Sequence, residues 1–323
     1  MSPVRAAVLA ELDHFYFQEI PQVMHPTLHG LAADLRLLQG AAEARQITTL
    51  EGLYNSSYQY LPYLLNDIFG LPENTVMQVE KGWLLLLISY VMLDQLVDRQ
   101  MPAMPVVPLV QQHLLLKAHE AFAAVFPASA PFWGQYYALL HEFFTCLALE
   151  SHYLDAEAAP YTYERMTEVC TGKAAPLQIV VAAMSELSGQ PRHAPLLRQV
   201  FNRLVLSDQL FDDAADWEDD LVAGRRTLPY VLAQQAAQSP VTDPAALAQI
   251  IQRSGLLPAL ADRAIGLLEE GRDLLRGAGL SPVQLDAALD ERKERIQLDR
   301  RRYQAVSFLG SLSALLEKSS EGV

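Results

Sequence analysis

Gln209-Leu-Phe-Asp-Asp-Ala-Ala-Asp-Trp-Glu-Asp-Asp220, followed by Leu-Val-Ala-Gly-Arg-Arg-Thr-Leu-Pro229, is the stretch that decides how the chain reads. Asp208, Asp212, Asp216 and Asp220 recur at i, i+4. On a helix those positions share one face, with Cβ atoms about 5–6 Å apart. The spacing therefore predicts a stripe of carboxylates, with Asp213, Glu218 and Asp219 beside it. Like charges at i, i+4 destabilise an isolated helix by about 0.2–0.5 kcal/mol per pair. Binding hard cations relieves that repulsion. Carboxylate oxygens suit Mg²⁺, which keeps several waters and shares its sites with substrate phosphates. The plain alternative is a solvated acidic face.

A second pair of acids stands at the end of an apolar run. Asp94-Gln-Leu-Val-Asp98 follows Trp83-Leu-Leu-Leu-Leu-Ile-Ser-Tyr-Val-Met-Leu93. The run is apolar almost all round, which predicts a buried helix. Aspartates at the mouth of a buried helix need partners or a metal. Two acidic helix faces in a helical barrel would hold divalent cations, and an apolar pit beneath them would suit a greasy molecule with a polyphosphate head. Metals on a diphosphate neutralise the charge of the leaving group. Ionising an allylic diphosphate leaves a carbocation, which aromatic faces stabilise and an apolar pocket keeps dry. Tyr54, Tyr58, Tyr60, Tyr90, Phe143, Phe144, Phe211 and Trp217 are the candidate liners, each with a plain core role as its alternative.

The rest of the 323 residues reads as helix, broken by proline and glycine. Helices are expected over about 4–20, 27–47, 50–69, 73–100, 109–126, 130–156, 162–188 and 193–222, and two or three complete the chain, the last over about 281–318. Pro62 is expected to kink the third, and Thr171-Gly-Lys-Ala-Ala-Pro176 to interrupt the seventh. No linker is long enough to separate domains. The expected fold is all-α: one single-domain helical barrel of ten or more helices. A formal charge of −14 and the lack of a basic patch argue against nucleic acid. Two cysteines, Cys146 and Cys170, have no metal-type spacing, so a reducing cytoplasmic setting is the default. The apolar run Gly82 to Leu93 is too short to span a bilayer, so no transmembrane segment is expected.

These residues together resemble the class I isoprenoid synthases over about residues 80–305. Asp94-Gln-Leu-Val-Asp98 resembles their first aspartate-rich motif, in the first-and-fifth form used by squalene and phytoene synthases, with Gln95 where elongating enzymes have aspartate. Gln209 to Asp216 resembles the second motif of trans-prenyltransferases. Asp212, Asp216 and Asp220 have the spacing of the terpene cyclase metal triad. Thr171-Gly-Lys-Ala-Ala-Pro-Leu177 resembles the prenyltransferase helix break that faces the diphosphate, and Arg302-Tyr303 the C-terminal pair of bacterial cyclases. The resemblance implies Mg²⁺, three ions, with Mn²⁺ as a substitute. It implies Asp94, Asp98, Asp212, Asp213, Asp216 and Asp220 as ligands, all but Asp213 as catalytic residues. It implies Arg165, Lys173, Arg225, Arg302 and Tyr303 as substrate-binding residues, an allylic isoprenoid diphosphate as substrate, and a homodimer by family habit.

The departures bear on the reaction. Elongating enzymes grip a second diphosphate with a Gly-Lys…Arg element and an Arg-Arg pair after the first motif. Here apolar residues follow Lys81-Gly82, and Arg99-Gln-Met-Pro102 follows Asp98. The expected function is therefore a terpene synthase acting on one allylic diphosphate. Head-to-head or chain-elongating prenyltransfer is the alternative. A non-catalytic modulatory subunit would lose metal ligands, and this chain keeps acids at the expected positions. A di-iron bundle needs Glu-x-x-His twice, and only Glu11-Leu-Asp-His14 fits. His141-Glu142 lacks the second histidine of a zinc-protease helix.

Overall fold

The computed structural model describes residues 3–24, 57–97, 106–154, 161–237 and 241–320. Among them there are helices and turns and no strand. The expected helix over 27–47, Tyr54 and Asp98 lie outside the described residues. The chain folds as two compact units. The first takes Met1–His141, Pro176–Ala194 and Ser281–Leu285; the second takes Glu142–Ala175, Pro195–Leu280 and Asp286–Val323.

The first unit is organised on Glu73–Val97, a helix of 25 residues. The helix before it, Leu61–Phe69, starts with Pro62 in its first turn. There the missing N–H leaves no bond unmade, so Pro62 opens this helix instead of kinking it. Gly70, at φ 64°, ends it in the left-handed conformation that a side chain resists. Asn66 braces that turn, its amide donating to the Leu71 carbonyl at 3.0 Å and its Oδ1 accepting from Leu71 N–H at 2.8 Å. Trp83, Leu84, Leu85, Leu86, Ile88 and Met92 are all buried, as the all-round apolar pattern predicts. Gly82 meets the Phe122 ring of the neighbouring helix Val107–Ala123, where an added Cβ would come within 3.2 Å of it. Across the same seam, Gln111 Nε2 donates to Ser89 Oγ at 2.9 Å. Glu73–Val97 is long and apolar enough to cross a membrane, but 67% of its most apolar window is buried inside the protein. It is a core helix by that measure.

The second unit carries the acidic helix, Ala194–Ala215, which continues after a break as Trp217–Ala223. Leu197, Val200, Phe201 and Leu204 recur at three and four and, with Leu210, are fully or nearly fully buried. Ser207 Oγ donates to the Ala264 carbonyl at 2.9 Å and ties this helix to Leu256–Gly277. The C-terminal helix, Val283–Ser320, is held by a buried arginine. Arg272 reaches Glu269 at 3.2 Å, Asp286 at 3.3 Å and Asp290 at 2.6 Å. A buried guanidinium is tolerated when its charge is met in this way.

The expected interruption near Gly172 is present. Tyr163–Lys173 ends, Ala174 intervenes and Ala175–Ser188 begins. Pro176 has no N–H to donate to the Gly172 carbonyl, which breaks the helical ladder there. Just before the break the chain is tightly packed: a Cβ on Gly172 would lie 1.9 Å from Cys146 Sγ and 2.6 Å from Cys146 Cβ. Only a glycine lets the two helices meet there.

Candidate functional site

The acidic stripe survives a break in its own helix. Asp216 leaves the helical region at φ −100°, ψ 8°. Its N–H still donates to the Asp212 carbonyl at 2.9 Å, and Asp220 N–H donates to the Asp216 carbonyl at 2.9 Å. These i→i−4 bonds keep Asp212, Asp216 and Asp220 in step. Gly224, at φ 74°, closes the segment.

The aspartates of the stripe have different fates. Asp208 pairs with Arg292 of the C-terminal helix at 3.0 Å. Asp212 is reached by solvent but hemmed in by protein, and that crowding pushes its carboxyl up to about 7. The charges of Asp208 and Asp216 push the same way, while Arg295 and Lys173 oppose them. Asp216 is exposed and also raised, by desolvation and then by Asp219, against the pull of Arg225. Asp220 is buried, and Arg225 meets it at 3.3 Å. Burial raises its carboxyl more than Arg225 lowers it. Asp213, one residue from Asp212, turns inward: it is 2% exposed. It accepts from Gln209 Nε2 at 2.8 Å and from Leu228 N–H at 3.2 Å, and so fixes the start of the helix Leu228–Ala236. Burial pushes it up to about 7 as well.

The cations named from the sequence are dispersed. Lys173 Nζ sits 2.6 Å from Glu150, a carboxylate that is 4% exposed. Arg165 lies over the Tyr153 ring at 4.9 Å. Arg302 meets Asp299 at 3.0 Å. With Tyr303 and Trp217 it lines a cavity of about 380 Å³ beside Ala215 and Glu218. Desolvation and the Asp299 charge push the Tyr303 hydroxyl up to about 12. Three residues escaped the sequence reading: Glu150, Arg292 and Arg295. Glu142 and Glu150, two helical turns apart, share a face and gave a weak signal. The arginines sit in Asp290-Glu-Arg-Lys-Glu-Arg295, which reads as a solvated charged helix.

In the first unit Asp94 is half-buried near the end of its helix. Tyr90 is buried, as are Phe143, Phe211 and Trp217 in the second unit, while Phe144 is 40% exposed. Among the described residues, no three His, Cys, Asp or Glu side chains converge as a metal site. The donor set still suits a hard cation. Mg²⁺ takes one or two carboxylates and completes its shell with water and phosphate. Asp212 and Asp216 offer solvent-accessible oxygens, and the Asp216 charge raises the proton affinity of Asp212.

No protein-family model matches the chain, and no curated protein matches its sequence. Solved structures do match its fold. One is a polyprenyl synthase from Caulobacter crescentus complexed with calcium and isoprenyl diphosphate: TM-score 0.66, 17% identity, covering 94% of this chain and 95% of that one. A heptaprenyl diphosphate synthase from Staphylococcus aureus gives TM-score 0.65 at 15% identity, over 92% and 98% of the two chains. A geranylgeranyl pyrophosphate synthetase from the archaeon Geoglobus acetivorans gives 0.64 at 14%, over 92% and 99%. The chain thus has the all-α fold of the isoprenoid synthases, in the form carried by prenyl diphosphate synthases.

Proposed function

We propose that this protein is a divalent-metal-dependent isoprenoid synthase of the prenyltransferase type, taking an allylic diphosphate as substrate. The observation that carries the reading is the aspartate row Asp212, Asp216 and Asp220, the first two exposed and the third buried, whose carboxyls are all raised above their usual range in a chain with this fold. These three would hold Mg²⁺, with Asp94 and Asp98 as the second proposed pair. The metal, when bound, supplies neutralisation of the charge that develops on the departing diphosphate. Arg225 holds Asp220 in place at 3.3 Å and opposes the upward shift that burial causes. Glu150 holds Lys173 at 2.6 Å and fixes where its ammonium sits. Asp213 acts at one remove, fixing the backbone at Leu228. The two units are read as one catalytic domain, and the homodimer and cytoplasmic setting belong to the same proposal.

The fold relatives favour prenyltransfer over the one-substrate cyclisation expected from the motifs. One observation favours cyclisation. Lys81, the cation of the first unit's long helix, pairs with Glu11 at 3.3 Å and lies 5.2 Å from the Phe15 ring centre. It is committed elsewhere than to a second diphosphate.

The test is incubation with geranyl, farnesyl and geranylgeranyl diphosphate, each with and without isopentenyl diphosphate, in Mg²⁺. The expected result is a longer diphosphate formed only when isopentenyl diphosphate is present. A product of the substrate's own carbon count would mean cyclisation, and double that count head-to-head condensation. No turnover together with no thermal shift from Mg²⁺ and diphosphate would sink the enzymatic reading in favour of a modulatory subunit.

A further inference from the structure

We infer that Arg295, on the C-terminal helix, is a binding residue for the substrate's diphosphate group. The inference rests on the proposed function and adds a residue that no sequence motif marks. Arg292 anchors the C-terminal helix to the acidic one through its 3.0 Å pair with Asp208. One turn further along both helices, the Arg295 guanidinium lies 5.4 Å from the ring centre of Phe211, the residue before Asp212. That places a positive charge beside the metal-binding row.

The way Arg295 is held leaves its donors available. It is solvent-exposed, its guanidinium lies beside the Phe211 ring, and its charge acts on the Asp212 carboxyl. A guanidinium beside an aromatic ring keeps its charge. Its five N–H donors form a planar fork that matches phosphate oxygens. The other nearby cations are held by carboxylates. Lys173 is 2.6 Å from Glu150, Arg225 is 3.3 Å from Asp220 and Arg292 is on Asp208. Arg302, named by resemblance, pairs with Asp299 and is 77% exposed. A diphosphate arriving at Asp212 and Asp216 meets in Arg295 a guanidinium that, among the described residues, has no carboxylate to release first.

The experiment is calorimetric titration of inorganic diphosphate, in saturating Mg²⁺, into the full chain and its Arg295→Gln, Arg295→Lys, Arg302→Gln and Asp212→Asn variants. Arg295→Gln is expected to weaken diphosphate about tenfold or more, the usual worth of a charge-assisted contact. Arg295→Lys is expected to fall between, because an ammonium cannot donate as a planar fork. Arg302→Gln is expected to have the smaller effect, and the melting temperature of Arg295→Gln to stay near that of the wild type. Unchanged affinity in Arg295→Gln, with wild type binding and Asp212→Asn not binding, would overturn the inference alone. A wild type that binds no diphosphate in Mg²⁺ would overturn the functional reading and this inference with it.

Discussion

Two regions of this molecule raise a carboxyl above its usual range and differ in what surrounds it. Glu80, in the long helix Glu73–Val97, is wholly inaccessible, and its Oε1 accepts from Tyr63 N–H at 2.7 Å. Asp212, on the acidic helix, is open to water and crowded by Asp208 and Asp216. Desolvation is the largest cause of the upward shift in both. At Glu80 the carboxyl caps the first turn of the helix Leu61–Phe69, where N–H groups have no intrahelical partner. At Asp212 like charges add to the effect and solvent can deliver a cation. A single dry carboxyl serves the fold, and a wet row of them suits a ligand.

The largest expected effect breaks the wet row. Asp216→Ala should lower turnover by more than about a hundredfold, since losing even an outer-shell partner of a metal costs about 10- to 100-fold. Asp216 is exposed, so the melting temperature in EDTA should hardly change. Full activity in that variant would remove the row from the mechanism. Asp213→Ala should behave in the opposite sense. It strips the acceptor from the buried Leu228 N–H, so stability should fall by about 1–3 kcal/mol.

The next effect tests the packing that sets Lys173 in place. Gly172→Ala should destabilise by about 1–3 kcal/mol or more, the cost of overpacking a tight core, because its Cβ would fall 1.9 Å from Cys146 Sγ. The double variant Gly172→Ala/Cys146→Gly should recover much of that loss in a urea melt. A single variant as stable as wild type would show that Gly172 is not needed for the close approach to Cys146.

What could be read from sequence follows from how far each signal reaches along the chain. The stripe Asp212, Asp216, Asp220 was legible because its period is a local property of the helix. The ends at Gly70 and Gly224 were legible because a left-handed turn demands glycine. Asp212 and Asp213 look alike in a motif, yet a helix turns about 100° per residue, so one faces water and the other a neighbouring backbone. That outcome depends on where Leu228 lies, which no local pattern states. The break near Gly172 was visible as composition, but the close packing there against Cys146, 26 residues away, was not. Glu150, Arg292 and Arg295 were missed because each has its meaning only in its tertiary partner.

The smallest effect sharpens the contrast between the dry acid and the wet one. Both carboxyls are raised in the folded state, so between the unfolded carboxylate range near 4 and the folded value the native protein binds more protons than the unfolded chain. Stability without metal should then fall as pH rises through that window, up to about 7 for Asp212. Asp212→Asn and Glu80→Gln should each flatten the slope of melting temperature against pH in EDTA. Mg²⁺ separates them. A cation that binds the ionised row raises stability more at pH 8 than at pH 5, because its ligands must be deprotonated. That gain should survive Glu80→Gln, since the dry carboxyl meets no solvent ion, and should shrink in Asp212→Asn. An equal Mg²⁺ gain in both variants would erase the distinction between a carboxyl that caps a helix and carboxyls arranged to hold a metal.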